Sequence, residues 1–496
     1  MSDLDVLFVN PGDRKQIYQD LGDEFCAIEP PVFAGLFSTY ARRQGLSCAI
    51  LDGPALGLSA EQIADRVEEA DPALVAIVVY GLQPSASTQN MTAAGRIASM
   101  VKALNPKRKV LMTGTHAASL PERTLREEKV DFVVDLEGPV TIAQTALALK
   151  AGERNFSKVP SLWWRDGDRF VQPTSAEPLL QNLDEEMSGI SWDLLDMSLY
   201  RSHNWHSFAD IHNRAPYAAI HTSLGCPYKC NFCCINAPFG GSSYRKWSPE
   251  AVVREIDFVV ERYGVTNIKF VDEMFVLHPR HVLGICDLLI QRDYKVNIWA
   301  YARVDTVRDE FLEKLKAAGF NWLCLGIEAA DSAVRDGADK EFSDESILDT
   351  CRRIQSHGIN IIANYIFGLP EDTHGRMQQT LDLALEINAE FANFYAAMAY
   401  PGSPLYGLAL EKGYELPQAW HHYSQHGYDA LPMRNDHLTA AEILQFRDEA
   451  WQTHFTSRPY LDLVERKFGR DVVDHIARMR AIPLRRRLLE TAVAGS

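Results

Sequence analysis

Residues 222–234 read TSLGCPYKCNFCC, which spaces three cysteines as C-x3-C-x2-C. Cys226, Cys230 and Cys233 lie on a loop directly after a predicted strand over 218–223. Three thiols on one short loop converge poorly on a hydrophobic core, so buried structural thiols are the weaker interpretation. Structural zinc needs four closed ligands, and no nearby cysteine pair completes such a site. Three thiolates instead suit an iron–sulfur cluster that keeps one iron open.

This segment resembles the cluster motif of the radical S-adenosylmethionine (SAM) superfamily, with Phe232 just before the third cysteine. The resemblance implies a [4Fe–4S] cluster on Cys226, Cys230 and Cys233 whose open iron chelates SAM. It also implies a one-electron reductant as partner, such as a flavodoxin or ferredoxin. Cys234 is a candidate fourth ligand, but adjacent cysteines rarely reach one cubane together. We therefore interpret Cys234 as a buried neighbour.

Further stretches match this superfamily in chain order between residues 215 and 405. They imply SAM contacts from acids after the second strand of the domain, an arginine after the third and later polar or glycine positions. These positions are Asp272, Glu273, Arg303, Gly326, Glu328, Asn364 and Gly368. An acid can pair with the SAM ammonium through a charge-assisted bond. The open alternatives are a solvated acidic loop at 272–273, a structural ion pair for Arg303 and a simple turn at Gly368.

The alternation of strands and helices, which resumes near residue 216, predicts the fold of the second half of the chain. Six βα units over 216–403 predict a partial barrel or another open parallel sheet. The resemblance implies the first of these, a partial (βα)6 barrel of the TIM type with its site on the C-terminal face. Residues 404–496 are expected to form a mostly helical region that closes the substrate cavity. Its aromatic stretch 420–423 and Tyr428 are candidates for cavity lining, although core packing is the commoner role of such clusters.

The first 150 residues alternate five short apolar strands with amphipathic helices. This pattern predicts a Rossmann-like, doubly wound parallel sheet, whose ligands bind beyond the carboxyl ends of the strands. Residues 151–215 break the rhythm and are interpreted as a linker with a hairpin near 161–171. The predicted fold class is therefore α/β, with divisions at 1–150, 151–215, 216–403 and 404–496.

An α/β domain followed by a linker and a radical SAM barrel resembles the cobalamin-binding subfamily. The features that carry this resemblance are Glu29-Pro30-Pro31, Asp52, Gly114-Thr115-His116 and Glu137-Gly138. It implies cobalamin contacts from the loops after the third, fourth and fifth strands. The expected positions are Tyr80, Gly81, Leu82, Gln83, Ser85, Ser87, Thr88, Gly114, Thr115, His116, Glu137 and Gly138. The alternative is a Rossmann-like domain that holds no corrinoid.

The loop after the first strand departs from a pattern that many cobalamin domains share. Residues 10–32 contain no histidine, so this loop offers no imidazole ligand to cobalt. The resemblance then implies that loop 80–83 faces the lower side of the cobalt.

Both resemblances together imply a cobalamin-dependent radical SAM methyltransferase. A 5′-deoxyadenosyl radical would take hydrogen from an unactivated carbon of a small molecule, and methylcobalamin would donate the methyl group. One alternative is a non-methylating ring closure, ring contraction or oxidation by the same cofactors. An alternative of another class is a non-catalytic iron–sulfur or corrinoid carrier, which would not need the ordered SAM-like stretches.

Composition limits the other possibilities. The chain has 496 residues with a net charge of −16, which disfavours nucleic acid as a partner. Apolar residues make up 46% and charged residues 23%, values typical of globular proteins and not of disordered or coiled-coil chains. No apolar run reaches the roughly 18 residues of a membrane span, and no basic leader precedes the first strand. The sequence thus predicts a cytoplasmic protein without a membrane span.

Overall fold

The computed structural model describes residues 3–340 and 344–494. Its first half is built on one sheet. The strands are β1 (Val6–Asn10), β2 (Cys48–Asp52), β3 (Leu74–Val78), β4 (Val110–Thr113), β5 (Phe132–Val134), β6 (Leu162–Asp166) and β7 (Arg169–Val171). They are ordered β2-β1-β3-β4-β5-β6-β7, and β1 to β5 are parallel. The predicted doubly wound sheet is confirmed.

Helices cover both faces of this sheet because each of its parallel strands is apolar on both sides. They are α1 (Arg14–Tyr18), α2 (Leu21–Glu24), α3 (Val32–Arg43), α4 (Gly53–Leu56), α5 (Ala60–Ala70), α6 (Pro84–Leu104), α7 (Thr115–Ser119), α8 (Pro121–Glu127) and α9 (Pro139–Lys150). Helices α3 and α9 pack together, as do α5 and α6. Strand order reverses between β1 and β3, and a sheet of this kind binds ligands at that point.

The segment after α9 joins the two halves. Its hairpin β6–β7 pairs antiparallel with β5, so the first sheet continues past the division that we propose at residue 150. The rest of this segment is irregular apart from α10 (Leu183–Glu186) and short 3-10 turns. Glu255 of the second half accepts hydrogen bonds from the backbone of Ile190 (2.8 Å) and the indole of Trp192 (2.9 Å), which fixes the segment to the barrel.

The second half contains six parallel strands in chain order, as the βα pattern predicts. They are β8 (Tyr217–Ile220), β11 (Asn267–Phe270), β12 (Asn297–Arg303), β13 (Phe320–Glu328), β14 (Asn360–Phe367) and β15 (Phe391–Ala396), with a two-stranded ribbon of β9 (Ser223–Leu224) and β10 (Arg245–Lys246). The helices between them are α11 (Pro249–Tyr263), α12 (Pro279–Arg292), α13 (Asp309–Ala317), α14 (Ser332–Asp336), α15 (Asp344–Ser356) and α16 (His374–Ile387). The partial barrel is confirmed.

In the part of the chain described up to residue 494, five α-helices follow the barrel: α17 (Pro404–Lys412), α18 (Ala440–Thr456), α19 (Arg458–Phe468), α20 (Arg470–Ala481) and α21 (Arg487–Ala494). Helix α18 packs on β15, and residues of α19 and α20 share an apolar cluster with Trp322 and Phe391 of the barrel. Within the described residues, no helix combines the length and apolar composition needed to cross a membrane.

Candidate functional site

A cavity of about 720 Å³ lies where the carboxyl ends of both sheets meet. Its walls come from four parts of the chain: the loops after β1 and β3, the linker, the barrel interior and the C-terminal helices. Leu82 and Cys226 face this space from the first and second halves respectively. Any ligands of the two halves would therefore meet in one shared volume.

All three cysteines of the motif line the cavity, on the loop between β9 and β10. Gly225 begins this loop with φ +83°, and a Cβ there would lie 2.6 Å from the backbone oxygen of Ser243. The tight turn at Gly225 directs the loop so that its cysteines face the cavity. Phe232 and Cys234 also line the cavity, although Cys234 is almost fully buried.

The three thiols fit a metal centre by their chemistry. Burial raises the pKa of Cys226 to about 12 and that of Cys233 well above its usual value. Each is a free thiol rather than half of a disulfide. Desolvated thiols of this kind ionise when a cationic centre replaces their protons, as in a cluster site.

Two ionisable side chains, Arg303 and Glu273, flank the cysteines. The guanidinium of Arg303 lies 3.9 Å from Cys230 Sγ and forms an ion pair with Asp305 (Nε–Oδ1 2.9 Å). Glu273 Oε2 is buried and has no hydrogen-bond partner among the described residues. Burial raises the pKa of Glu273 to about 7. A ligand ammonium would supply the partner that this carboxylate lacks.

The predicted positions on β13 and β14 also face the cavity. Glu328 forms a buried ion pair with Lys340, and a Cβ on Gly326 would lie 2.5 Å from Lys340 Nζ. Because residue 326 is a glycine, the Glu328–Lys340 ion pair has space beside the cavity. Asn364 donates to Cys324 Sγ (3.0 Å) and accepts from Asn393 Nδ2 (2.9 Å).

Two predicted residues of the barrel lie behind the cavity wall. Asp272 accepts hydrogen bonds from the backbone of Thr222 (2.6 Å) and the hydroxyl of Ser223 (2.7 Å), so it anchors the strand that leads into the cysteine loop. Gly368 has φ +85° and donates its N–H to Asp372 (2.9 Å), which is the turn role that the sequence left open.

The loop after β3 reaches the cavity from the first half. Leu82 and Gln83 line it directly. Tyr80, Gly81 and Thr115 line a small recess beside it, together with Leu82 and Gln83. This part of the predicted cobalamin surface is therefore brought to the cysteines.

Other predicted cobalamin contacts are engaged inside the first domain. Ser87 bonds the backbone oxygen of Val79 and accepts from His116 N (3.0 Å), and Thr88 Oγ1 bonds His116 Nδ1 (3.2 Å). Burial lowers the pKa of His116 to about 3, so this imidazole is neutral. The side chain of Ser85 lies outside the described part of the structure.

The remaining predicted cobalamin positions, Gly114, Glu137 and Gly138, lie just after β4 and β5 and make structural contacts there. Gly114 has φ +147°, and a Cβ there would lie 2.1 Å from the Val79 oxygen. Glu137 pairs with Arg245 (2.8 Å), and Gly138 donates to the carboxylate of Glu177. These contacts hold the first domain together and fix it to the β9–β10 ribbon.

Several cavity residues were not predicted from the sequence. Lys269 of β11 pairs with Glu29 of the first domain (2.9 Å), and Glu29 accepts from Tyr217 (3.2 Å). A lysine within the otherwise strand-like stretch NIKF is the sequence signal that could have identified this position. Glu29 was noted only as part of a family resemblance.

The C-terminal region supplies the opposite wall with His426, Arg447 and Asp448. Arg447 is buried, and its Nε donates to the Phe394 oxygen (2.7 Å). The predicted closure of the cavity by this region is consistent with these contacts. The aromatic stretch 420–423 does not line the cavity, and Tyr423 packs in a small core cluster with Met398 instead.

Comparison with known proteins identifies both halves. The family model of the Radical SAM superfamily matches residues 220–384, and that of the B12 binding domain matches residues 21–146. An uncharacterized methyltransferase of Pyrococcus horikoshii is 27% identical over 452 residues, covering 91% of this chain and 92% of the relative. The anaerobic magnesium-protoporphyrin IX monomethyl ester cyclase of Rubrivivax gelatinosus is 26% identical over 415 residues, covering 81% and 69%.

Among solved structures, the radical SAM methyltransferase TsrM of Kitasatospora setae, with cobalamin and a [4Fe-4S] cluster bound, superposes with a TM-score of 0.67. The match covers 92% of this chain and 89% of TsrM at 17% identity, and at that identity it establishes a shared fold. This chain therefore contains a B12 binding domain followed by a radical SAM domain.

Proposed function

We propose that this enzyme is a cobalamin-dependent radical SAM methyltransferase that acts on an unactivated carbon of a small molecule. The observation that carries the proposal is the shared cavity: the cysteine loop and the loop after β3 open on the same volume. Two cofactors and a substrate held there would gain the advantage of proximity. The relative from Pyrococcus horikoshii, matched over nearly its whole length, carries a methyltransferase name, which supports the choice of reaction.

When bound, the cluster and SAM supply the radical that takes hydrogen from the substrate, and cobalamin supplies the methyl group. The chain provides the ligands and the environment. Cys226, Cys230 and Cys233 would hold the cluster, Glu273 would accept the SAM ammonium, and Arg303 would face the SAM carboxylate. Leu82 and Gln83 would lie against the corrin.

The cavity wall is suited to reactive intermediates because most of its exposed surface is apolar. Trp205, Trp299 and Trp451 contribute large apolar surfaces that exclude water. The charges of Glu29 and Lys269 compensate each other. We infer that the substrate enters as a small molecule and that a flavodoxin or ferredoxin supplies electrons.

The first test is the corrinoid content of protein produced anaerobically with cobalamin. Close to one cobalamin per chain after desalting supports the proposal. If the protein contains iron and sulfide but no cobalamin, cobalamin is not the methyl donor, and the proposal is reduced to a radical SAM enzyme.

The second test follows the methyl group. The loaded enzyme is incubated with a reductant, a metabolite extract and SAM that carries a deuterated methyl group. We expect 5′-deoxyadenosine together with a labelled carbon product. If 5′-deoxyadenosine forms and no label is transferred, the non-methylating alternative is favoured, as the similarity to the cyclase allows. Absence of both 5′-deoxyadenosine and labelled product would instead favour a carrier protein.

A further inference from the structure

A second group of ligating side chains lies outside the cavity, on the irregular segment between α17 and α18. His421 Nε2 is 3.7 Å from Asp429 Oδ2, and His422 Nε2 is 3.9 Å from the same oxygen. The three ligating atoms all lie within 4.8 Å of one another. The side chains are 14–25% exposed, so the group is partly enclosed and open to solvent on one side.

These distances are too long for hydrogen bonds, which span about 2.7–3.2 Å from N to O. They are close to the spacing of ligands on a tetrahedral metal. Zinc bonds of about 2.0–2.2 Å place neighbouring ligand atoms about 3.3–3.6 Å apart in a tetrahedron. An octahedral ion with similar bonds would require about 2.8–3.1 Å and a larger movement. Two imidazoles and one carboxylate also argue against calcium and magnesium, because both ions prefer sites made only of oxygen ligands.

Neighbouring side chains orient two of the three ligands. Thr92 Oγ1 of α6 lies 3.2 Å from His421 Nδ1, and it accepts the backbone N–H of His421 (3.2 Å). A proton on Nδ1 leaves the Nε2 lone pair free for a metal. Arg487 Nε binds Asp429 Oδ1 (2.9 Å), which leaves Oδ2 toward the imidazoles. Partners of this kind are typical of ligands at protein metal sites.

We propose that His421, His422 and Asp429 bind one zinc ion, with water as the fourth ligand. The site would fasten the segment between α17 and α18, which is irregular apart from one 3-10 turn (Trp420–Tyr423), onto α6 of the B12 binding domain. Gln425 and His426 lie between the ligands in sequence and line the cavity. Unlike a closed four-ligand structural site, this one would keep water in its fourth position, while its three protein ligands cross-link the segment that carries this part of the cavity wall. The inference is independent of the proposed methyl transfer.

The test uses tag-free full-length enzyme with its cluster and cobalamin loaded, exposed to zinc and then desalted. Zinc is measured by mass spectrometry, and the zinc X-ray absorption spectrum identifies its ligands. We expect one zinc per chain with nitrogen and oxygen neighbours. Sulfur at about 2.3 Å would show that zinc occupies the cysteine motif instead and would overturn the assignment.

Variants complete the test. His421→Gln/His422→Gln is expected to lose the bound zinc, whereas the exposed pair His212→Gln/His437→Gln, chosen as a matched control, keeps it. Thr92→Val is expected to weaken zinc binding at least about tenfold in a chelator competition, since it removes an orienting partner. Asp429→Asn provides a second ligand variant if the double variant folds poorly. Equal zinc retention by ligand variants and control would overturn the proposal.

Discussion

At the scale of single residues, the cysteine motif makes a prediction that separates ligands from neighbours. Cys226→Ala is expected to abolish the iron–sulfur absorbance of reconstituted protein, because two thiolates cannot hold the cluster. Cys234→Ala is expected to retain it. Iron content and visible absorbance are measured for both, with Cys286→Ala, buried on α12, as a control for loss of a buried thiol. Loss of the cluster in Cys234→Ala would make that residue a ligand.

Glu273 provides a second prediction at this scale. Its buried Oε2 has no partner among the described residues, so an added ammonium gains a full interaction there. Glu273→Gln should weaken SAM binding at least about tenfold, since hydrogen bonds to charged groups contribute about 1.5–3 kcal/mol. Binding is measured by equilibrium dialysis on cluster-loaded protein. The control is Glu261→Gln on the surface of α11. Equal affinities would exclude Glu273 from the SAM site.

At the scale of elements, the β9–β10 loop depends on the turn at Gly225. A Cβ at Gly225 meets backbone 2.6 Å away, whereas at Gly240, which also has positive φ (+68°), the nearest atom is a side-chain carbon at 3.5 Å. Gly240→Ala should cost only the strain of a left-handed residue, about 1–3 kcal/mol. Gly225→Ala should in addition displace the loop and lower cluster occupancy. Iron per chain distinguishes the two variants, and identical occupancy would refute the steric argument.

The joint between the linker and α11 predicts a dependence on pH. Burial raises the pKa of Glu255 from 4.5 to about 7. The folded state therefore holds a proton that the unfolded state releases above 4.5, so this group's contribution to stability falls as pH rises from about 4.5 to about 7. Glu255→Gln removes the titration and keeps one acceptor oxygen. Relative to Glu255→Gln, the wild type should lose thermal stability between about pH 5 and pH 8. Parallel pH profiles would contradict this origin.

At the scale of the whole molecule, buried ion pairs connect the two halves. Arg245→Met leaves Glu137 buried without its partner, which should destabilise the protein by about 3–5 kcal/mol. Glu137→Gln/Arg245→Met should recover part of that loss because no buried charge remains. Denaturant unfolding of the wild type, the two single variants and the double variant measures this coupling.

An exposed pair offers the matched control for that cycle. Arg42 and Asp193 also join the first domain to the linker, at 2.9 Å, but their side chains are 44% and 55% exposed. Arg42→Met should therefore cost less than about 1 kcal/mol. A similar cost for Arg42→Met and Arg245→Met would show that burial does not decide the energy of these pairs.

Much of the architecture was predictable from the sequence, because the spacing of apolar residues and the residues that end helices and strands are local features. The five parallel strands predicted within residues 1–150 and the six βα units predicted over 216–403 are both present in the structure. The hairpin near 161–171 was also predicted, but its pairing with β5 was not. Strand pairing depends on distant backbone groups, and short strands carry no signal that identifies their neighbours.

The candidate site divides in the same way. The spacing of Cys226, Cys230 and Cys233 is a local property, and these residues line the cavity together. His116 and Leu82 were equally plausible contacts, yet His116 is engaged with Thr88 and Leu82 faces the cavity. The direction of a side chain at a strand end depends on what packs against it, so the sequence could not separate them.

The sequence by itself thus determined the fold class and the reactive groups. It predicts an α/β chain with three thiols on one loop, which implies an iron–sulfur centre. Only the tertiary structure decided what shares that space. Glu29 meets Lys269, 240 residues later, because the first domain is docked on the barrel. The same docking brings the loop after β3 to the cysteines. Contacts between residues so far apart depend on burial of surfaces from both halves, and no local pattern encodes them.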